Sequence, residues 1–146
     1  MEALDTRLRA SLVAHGVIVI VLGLLAGFPF ALVITGGLQG DLRAWRMAHM
    51  EGVLNGLVMI AVGAAGGLIT LGPVRARWLW AGFLVAGYGN VIASVIAATF
   101  GVRGLALEPP ASNVIVFLLF TAAIIGVFVG LWLTAAGAFR RAARGA

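Results

Sequence analysis

Long apolar segments alternate with short polar ones along the whole chain. The apolar runs cover about residues 11–37, 45–71, 78–100 and 112–139, and short segments rich in arginine, acids or proline separate them. A helix rises about 1.5 Å per residue, so each run is long enough to cross the roughly 30 Å hydrocarbon core of a bilayer. The pattern predicts an all-α integral membrane protein in which residues 1–146 form a single domain, a bundle of four transmembrane helices.

Composition supports a membrane location and excludes several kinds of site. Hydrophobic residues make up 62% of the chain and charged residues only 10%, whereas soluble domains carry roughly 25% charged residues. The absence of cysteine excludes disulfides, thiolate zinc sites and covalently attached c-type haem. The net charge is +5, but the arginines lie at the edges of the apolar runs, which favours membrane orientation over nucleic-acid binding.

The distribution of arginine predicts the orientation of the helices. Four helices place both termini and the second loop on one side of the membrane. That side carries Arg7, Arg9, Arg75, Arg77, Arg140, Arg141 and Arg144, and the other side carries Arg43, Arg46 and Arg103. Basic residues are enriched in cytoplasmic loops, so both termini are predicted to be cytoplasmic, in a bacterial-type inner membrane.

The second apolar run begins with an unusual concentration of polar residues. His49, Glu51 and Asn55 lie within seven positions, and ionisable groups inside a bilayer are costly enough to indicate a functional site. At 100° per residue, Gly52 and Gly56 fall within about 60° of His49, so an imidazole lies above a strip without side chains. A flat ring system bound to His49 could lie against this strip. Asn55 lies about 120° from His49 and is expected to face a different neighbour.

The third helix adds polar residues at the same predicted depth. Asn90 and Ser94 are four residues apart, and because the second and third helices are antiparallel they reach the depth of His49 and Asn55. Other interpretations stay open. His49 could hydrogen-bond a neighbouring backbone carbonyl, the asparagines and Ser94 could form interhelical hydrogen bonds, and Glu51 could pair with an arginine near the membrane surface.

His15 is the other histidine, and its position argues against a shared metal. It lies near the cytoplasmic end of the first helix, whereas His49 lies near the opposite end of the second, roughly 17 Å away in depth. One iron cannot bind both side chains across that distance. His15 is therefore interpreted as a packing or helix-pairing residue, and an iron at His49 would keep its sixth position free.

Several blocks of the sequence resemble the styrene oxide isomerase family, small four-helix membrane proteins that convert epoxides to carbonyl compounds. The blocks are Trp45, Ala48, His49, Leu54, Asn55 and Gly56; Gly87 with Asn90-Val91; Arg103-Gly104-Leu105 followed by Pro109; and His15-Gly16. The resemblance implies a homotrimer with haem b at the subunit interfaces and His49 as the iron ligand. Ferric iron would act as a Lewis acid that isomerises a small hydrophobic epoxide, such as an aryl epoxide, to an aldehyde or ketone without net redox (a Meinwald rearrangement).

The resemblance also suggests roles for further residues. Asn55 would position the epoxide oxygen, and Asn90 would support the site or bridge helices. Arg43 or Arg46 would pair with the haem propionates at the membrane edge. The family has an aspartate where this chain has Ala86 and a tyrosine where it has Ser94, so Ser94 would be a shorter hydrogen-bond donor.

Two rival hypotheses belong to other classes. A membrane haem protein for haem binding, sensing or electron transfer would be expected to have two strong axial ligands and a reducible iron. A cofactor-free bundle with a structural role would make His49 only a packed residue.

Overall fold

The computed structural model describes residues 2–145, which form four long α-helices. Met1 and Ala146, the ends of the predicted domain, lie outside the described residues. The helices are α1 (Thr6–Ile34), α2 (Leu42–Ala65), α3 (Pro73–Phe100) and α4 (Ala111–Gly145). All four are long and apolar enough to cross a membrane, which confirms the predicted bundle of four membrane-spanning helices.

Three of the helices begin several residues before their apolar runs do, because capping residues precede those runs. The Asp5 carboxylate accepts a hydrogen bond from the Arg7 amide (2.9 Å), and the Asp41 carboxylate accepts one from the Arg43 amide (2.8 Å). Such side chains satisfy backbone N–H groups that have no partner within the helix. Pro73 occupies the first turn of α3, where its missing N–H costs nothing. Hydrophobicity alone therefore placed these starts three to five residues too late.

The end of α2 differs from the expectation that helix continues to Leu71. The helix ends at Ala65, a 3₁₀ turn covers Gly66–Leu68, and a short strand β2 (Thr70–Leu71) pairs antiparallel with β1 (Glu2–Ala3). Two successive glycines at positions 66 and 67 each disfavour helix by about 1 kcal/mol. The Arg9 guanidinium donates to the Gly63 and Ala64 carbonyls (3.2 and 3.3 Å) and so ties the last turn of α2 to α1. The Gly63 carbonyl also accepts from the Gly66 amide.

The bundle consists of two tightly packed helical pairs, α1 with α2 and α3 with α4, joined mainly by the contact of α2 with α3. At the crossing of α1 and α2, a methyl group added to Gly52 would meet the backbone of Gly23. At the crossing of α3 and α4, one added to Gly82 would lie 2.6 Å from the Gly126 carbonyl oxygen. Small residues allow this close backbone approach in lipid.

The buried core runs along the centre of the bundle, while much of the outer surface is apolar. Leu12, Val19, Leu79 and Phe83 are 0–1% exposed. On the outside, many large apolar side chains are exposed; Trp132, for example, is 75% exposed. Apolar surface of this extent is stable when it faces lipid or another subunit.

Candidate functional site

His49 is held between α1 and α2 by contacts to α1. Its Nδ1 atom lies 2.9 Å from the Gly23 carbonyl oxygen. The Phe30 ring is nearly parallel to the imidazole, with an interplanar angle of 18° and 6.2 Å between ring centroids. Gly27 presents no side chain to the ring, because an added Cβ would lie 3.1 Å from Nδ1. These contacts fix the imidazole while leaving it half-buried.

The hydrogen bond to Gly23 also determines which ring nitrogen is available. A carbonyl oxygen only accepts, so Nδ1 carries the proton and donates to it. In the neutral imidazole Nε2 then keeps its lone pair. Metal-binding histidines commonly donate their other N–H to a carbonyl in this way, which fixes tautomer and orientation. The interpretation that His49 bonds to a neighbouring backbone carbonyl is thus correct, but that bond leaves Nε2 free to bind iron.

The surroundings of His49 decide what kind of metal centre it could join. Among residues 2–145, no group of three histidine or carboxylate side chains is arranged to hold a metal ion. One subunit therefore offers fewer than three ligands of these types for an iron at Nε2, and the other ligands would come from a bound cofactor or from outside the subunit. The imidazole is fixed and half-buried with Nε2 free, which is compatible with binding the iron of such a cofactor.

The strip formed by Gly52 and Gly56 is not open within one subunit. A Cβ at Gly52 would lie 2.6 Å from the Gly23 amide nitrogen, and one at Gly56 would lie 2.5 Å from the Gly16 carbonyl oxygen. Backbone of α1 therefore fills the strip. The prediction that these glycines form an exposed bed for a planar cofactor is wrong, because they serve the packing of α1 against α2.

Asn55 takes part in a polar cluster that links α2 to α3. Its amide nitrogen donates to both the backbone carbonyl and the carboxylate of Glu51, each at 2.8 Å, and its oxygen accepts from Asn90 (3.3 Å). The interhelical role of Asn90 and Asn55 is confirmed. Both Asn55 N–H groups are occupied, so donation to a substrate oxygen would require the bond to the Glu51 carboxylate to open.

Ser94 lies further along α3, in a cavity between α2, α3 and α4. Its side chain is 2% exposed, and Oγ has no hydrogen-bond partner among the described residues. Arg43 lines the same cavity. Arg46 is exposed and precedes His49 by three residues on α2. It therefore lies on the same side of the helix as His49, about one turn nearer the start of α2. Ala86 is 1% exposed, and its backbone nitrogen lies close to Gly126 of α4, where an added Cβ at Gly126 would be 3.3 Å from it.

His15 joins a second polar cluster, at the contact of α1 and α3. Its Nδ1 lies 2.8 Å from the Tyr88 hydroxyl, and its ring meets Trp80 edge-on at 6.4 Å. The Trp80 indole donates to the Ser11 hydroxyl (3.0 Å). His15 precedes Gly23, the partner of His49, by eight residues, about 12 Å of helix. The helix-pairing interpretation of His15 is confirmed.

The structure thus brings some predicted residues together and separates others. Asn55 and Asn90 are hydrogen-bonded, and Arg43 shares a cavity with Ser94. His49 faces α1, about 120° around α2 from Asn55. The residues that the sequence placed at one depth therefore face different neighbours within a subunit.

Sequence reasoning missed the residues that surround His49. Gly23, Gly27 and Phe30 lie inside the first apolar run and have no polar side chain that would single them out. The depth of these residues in the membrane could have indicated them. Because α1 and α2 are antiparallel, the end of α1 lies beside the start of α2, where His49 is. Which side chain of α1 faces His49 follows only from the crossing geometry.

Comparison with known proteins shows what the chain is similar to. The family model described as styrene oxide isomerase matches residues 8–139. The hydroxylaminobenzene mutase HabB of Ectopseudomonas oleovorans is 34% identical over 101 residues, which cover 68% of this chain and 57% of that protein. The chain therefore spans little more than half the length of this relative. Both names describe enzymes that rearrange a single molecule.

Proposed function

The chain belongs to the styrene oxide isomerase family, and we propose that it is a membrane haem b enzyme that isomerises a small hydrophobic epoxide to an aldehyde or ketone. The observation that carries the proposal is the state of His49. Its Nδ1–H is fixed on the Gly23 carbonyl at 2.9 Å, so Nε2 presents a lone pair at a half-buried position. A histidine held in this way would be able to bind the haem iron through Nε2.

The bound group and the protein would have separate tasks. Ferric haem b would supply a Lewis-acidic iron for the epoxide oxygen, which is electrophilic catalysis without net redox. The protein holds the imidazole: Phe30 lies parallel to it at 6.2 Å and Gly27 leaves room beside it. His15 is bonded to Tyr88, so it would not compete with a substrate for the iron.

Arg46 is the better candidate for a haem propionate. It lies on the same side of α2 as His49 and nearer the membrane edge, where propionates can remain hydrated. Arg43 is about 120° from His49 and lines the cavity of Ser94. We therefore assign the propionate contact to Arg46.

A second subunit is needed if His49 and the polar cluster are to act on one substrate. His49 contacts α1, whereas Asn55 faces α3 through its bond to Asn90. A ring of identical subunits, such as a trimer, places one surface of each subunit against a different surface of the next. The His49 side of one subunit would then meet a neighbour that completes the haem site. The exposed apolar surface is compatible with this contact.

The proposed location is a cytoplasmic membrane with both termini inside. Arg7 and Arg9 at the start of α1, Arg75 and Arg77 at the start of α3, and Arg140 and Arg141 near the end of α4 lie at one end of the bundle. This end carries more positive charge than the other, as cytoplasmic ends do. His49 would then lie in the outer half of the bilayer.

A second candidate substrate class is suggested by HabB, the relative at 34% identity. Its name describes the rearrangement of an arylhydroxylamine. An epoxide and a hydroxylamine both carry an oxygen on a weak single bond that a Lewis acid can polarise. The haem-dependent site proposed here could therefore serve either reaction.

Spectroscopy of the purified protein tests the haem proposal first. The wild type is expected to show a Soret band, and His49→Ala is expected to lose or strongly shift it. His15→Ala is the matched control, because His15 lies about 12 Å along α1 from Gly23, the residue that His49 contacts. The spectrum of this variant should stay unchanged. A wild-type spectrum without a Soret band after growth with added haem would contradict the proposal.

Product analysis tests the chemistry. Ferric protein incubated with styrene oxide should form phenylacetaldehyde, detected by gas chromatography, without any added oxidant or reductant. Hydroxylaminobenzene should be tested in parallel for an isomer of unchanged mass. If the iron is low-spin in the resting protein, with two strong axial ligands, and neither substrate reacts, the electron-transfer or sensing hypothesis replaces this one.

A further inference from the structure

A groove between α1 and α3 lies at the end of the bundle opposite to His49. α1 packs mainly against α2 and α3 mainly against α4, and the groove separates the starts of α1 and α3. Its volume is about 670 Å³, within the range of small-molecule sites. Eight residues line it: Arg7, Leu8, Ser11, Val74, Arg77, Trp78, Trp80 and Ala81.

The groove carries positive charge on both of its walls. Arg7 of α1 and Arg77 of α3 line it and are exposed, and none of the eight lining residues is acidic. Asp5 is the acid that precedes Arg7, and its carboxylate caps α1 by accepting from the Arg7 amide (2.9 Å). Guanidinium groups bind phosphate through paired hydrogen bonds, so the two walls together favour a phosphate-containing ligand.

The two arginines lie where the helices enter the apolar part of the membrane. Arg7 is the second residue of α1 and Arg77 is the fifth of α3, and the apolar runs of these helices begin at about residues 11 and 78. Ser11 and Ala81 each follow one of the arginines by four residues, about 6 Å along the helix. The groove therefore spans the level at which lipid headgroups meet the hydrocarbon core.

Apolar side chains that line the groove are exposed to the surroundings of the bundle. Trp78 is 63% exposed and Val74 is 66% exposed, and tryptophan is enriched at this level of a membrane. The Trp80 indole donates to the Ser11 hydroxyl (3.0 Å), which leaves the O–H of Ser11 able to donate to a ligand. The groove thus combines groups that suit a phosphate with groups that suit an acyl chain.

We propose that this groove binds a phospholipid with an anionic headgroup. Arg7 and Arg77 bind the phosphate, Ser11 donates to an ester or glycerol oxygen, and the first part of an acyl chain covers Trp78 and Val74. Basic pockets between helices on the cytoplasmic side of a membrane bind such headgroups. A free phosphate would leave the exposed apolar side chains uncovered. A choline headgroup would place its cation beside two guanidinium groups, which is unfavourable.

Native mass spectrometry of the full-length protein in nonionic detergent tests the proposal. Dioleoyl phosphatidylglycerol or dioleoyl phosphatidylcholine is added in increasing amounts, and the fraction of protein with bound lipid gives each dissociation constant. Phosphatidylglycerol should bind about tenfold more tightly than phosphatidylcholine. Arg77→Gln should weaken phosphatidylglycerol about tenfold and so remove most of this preference. Trp78→Ala should weaken both lipids by the same factor, because it removes only a contact with the acyl chain.

Arg75→Gln is the matched control for Arg77→Gln. Arg75 is exposed on the same turn of α3 but does not line the groove, so this variant removes one positive charge from the same edge of the membrane. Its affinity for phosphatidylglycerol should match the wild type. Circular dichroism confirms that each variant keeps its helical content. None of these readouts depends on haem, so the result is independent of the proposed isomerase activity.

Two results of the lipid titrations would overturn the proposal. The first is equal affinity of the wild type for the two lipids. The second is equal weakening by Arg77→Gln and Arg75→Gln, which would show a general attraction to the positive edge of the protein.

Two further experiments test other occupants of the groove. Displacement of phosphatidylglycerol by an equal concentration of glycerol 1-phosphate would identify the ligand as a soluble anion and contradict the lipid proposal. The chain has no cysteine, so Trp78→Cys reports contacts between copies. Rapid and complete formation of disulfide-linked dimers by this variant in membranes would show that a second copy, and not a lipid, covers the groove.

Discussion

Substitution of Gly52 by alanine tests the close packing that positions His49. The added Cβ would lie 2.6 Å from the Gly23 amide nitrogen, whereas ordinary contacts are about 3.5 Å. The two helices would have to separate by about 1 Å. His49 bonds the carbonyl of the same Gly23 at 2.9 Å, so that distance would rise to about 3.8 Å, beyond hydrogen-bonding range.

The expected loss of stability follows from these two effects. Overpacking costs about 1–3 kcal/mol and the lost hydrogen bond about 1 kcal/mol. Gly52→Ala should thus lower the free energy of unfolding by about 2–4 kcal/mol, measured by titration with sodium dodecyl sulfate and circular dichroism. The Soret band of haem-loaded protein should also shift, because Nε2 loses its orientation.

Gly72→Ala is the matched control for this substitution. An added Cβ at Gly72 meets nothing within 4 Å, so the stability should change by less than about 0.5 kcal/mol. Equal stability of the two variants, with an unchanged Soret band in Gly52→Ala, would refute the argument that the contact of Gly52 with Gly23 holds His49 in place.

Three further predictions concern the polar contacts between helices. A double-mutant cycle of Asn55→Ala and Asn90→Ala should give a coupling energy of about 0.6 kcal/mol, because hydrogen bonds between membrane helices contribute little free energy. If the two substitutions instead lower the stability additively, the side chains do not share a hydrogen bond that contributes to stability. Tyr88→Phe should lower the free energy of unfolding by about 1 kcal/mol, because the hydrogen bond to His15 is lost. The haem spectrum of this variant should stay unchanged. A changed spectrum would place His15 near the iron. Arg9→Gln should lower the free energy of unfolding by about 1 kcal/mol because the Gly63 and Ala64 carbonyls lose the guanidinium as a charged donor. Amide exchange in the last turn of α2 should then speed up, and unchanged exchange would show that water replaces the guanidinium.

Most of the fold could be predicted from the sequence because membrane helices follow simple rules. Four apolar runs longer than the bilayer core allow four spanning helices, and the structure has them. The errors lie where other interactions decide. Asp41 extends α2 at its start through a cap, and the two glycines after Ala65 end it early. Pairing of β1 with β2 joins segments almost 70 residues apart, which no local pattern indicates.

The sequence predicted how deep in the membrane the candidate site residues lie, but not which neighbouring helix each of them faces. Counting residues from the membrane edge placed His49, Asn55 and Ser94 at one level, and the angle of 100° per residue correctly separated His49 from Asn55. Angles on one helix do not say which neighbour fills each side. From the sequence, a strip without side chains at Gly52 could pack against a porphyrin or against another helix. The structure shows that the backbone of α1 occupies it.

The same limit explains why His49 retains its proposed role although the strip beside it is filled. A metal-binding histidine needs one free nitrogen and a fixed ring, and the Gly23 carbonyl provides both conditions through a single bond to Nδ1. That bond requires α1 to lie close, which in turn requires glycine at position 52. Helix packing and the availability of Nε2 are thus consequences of one contact. The proposed cofactor at His49 would then approach from the side that α1 leaves open, where the proposed neighbouring subunit would complete the site.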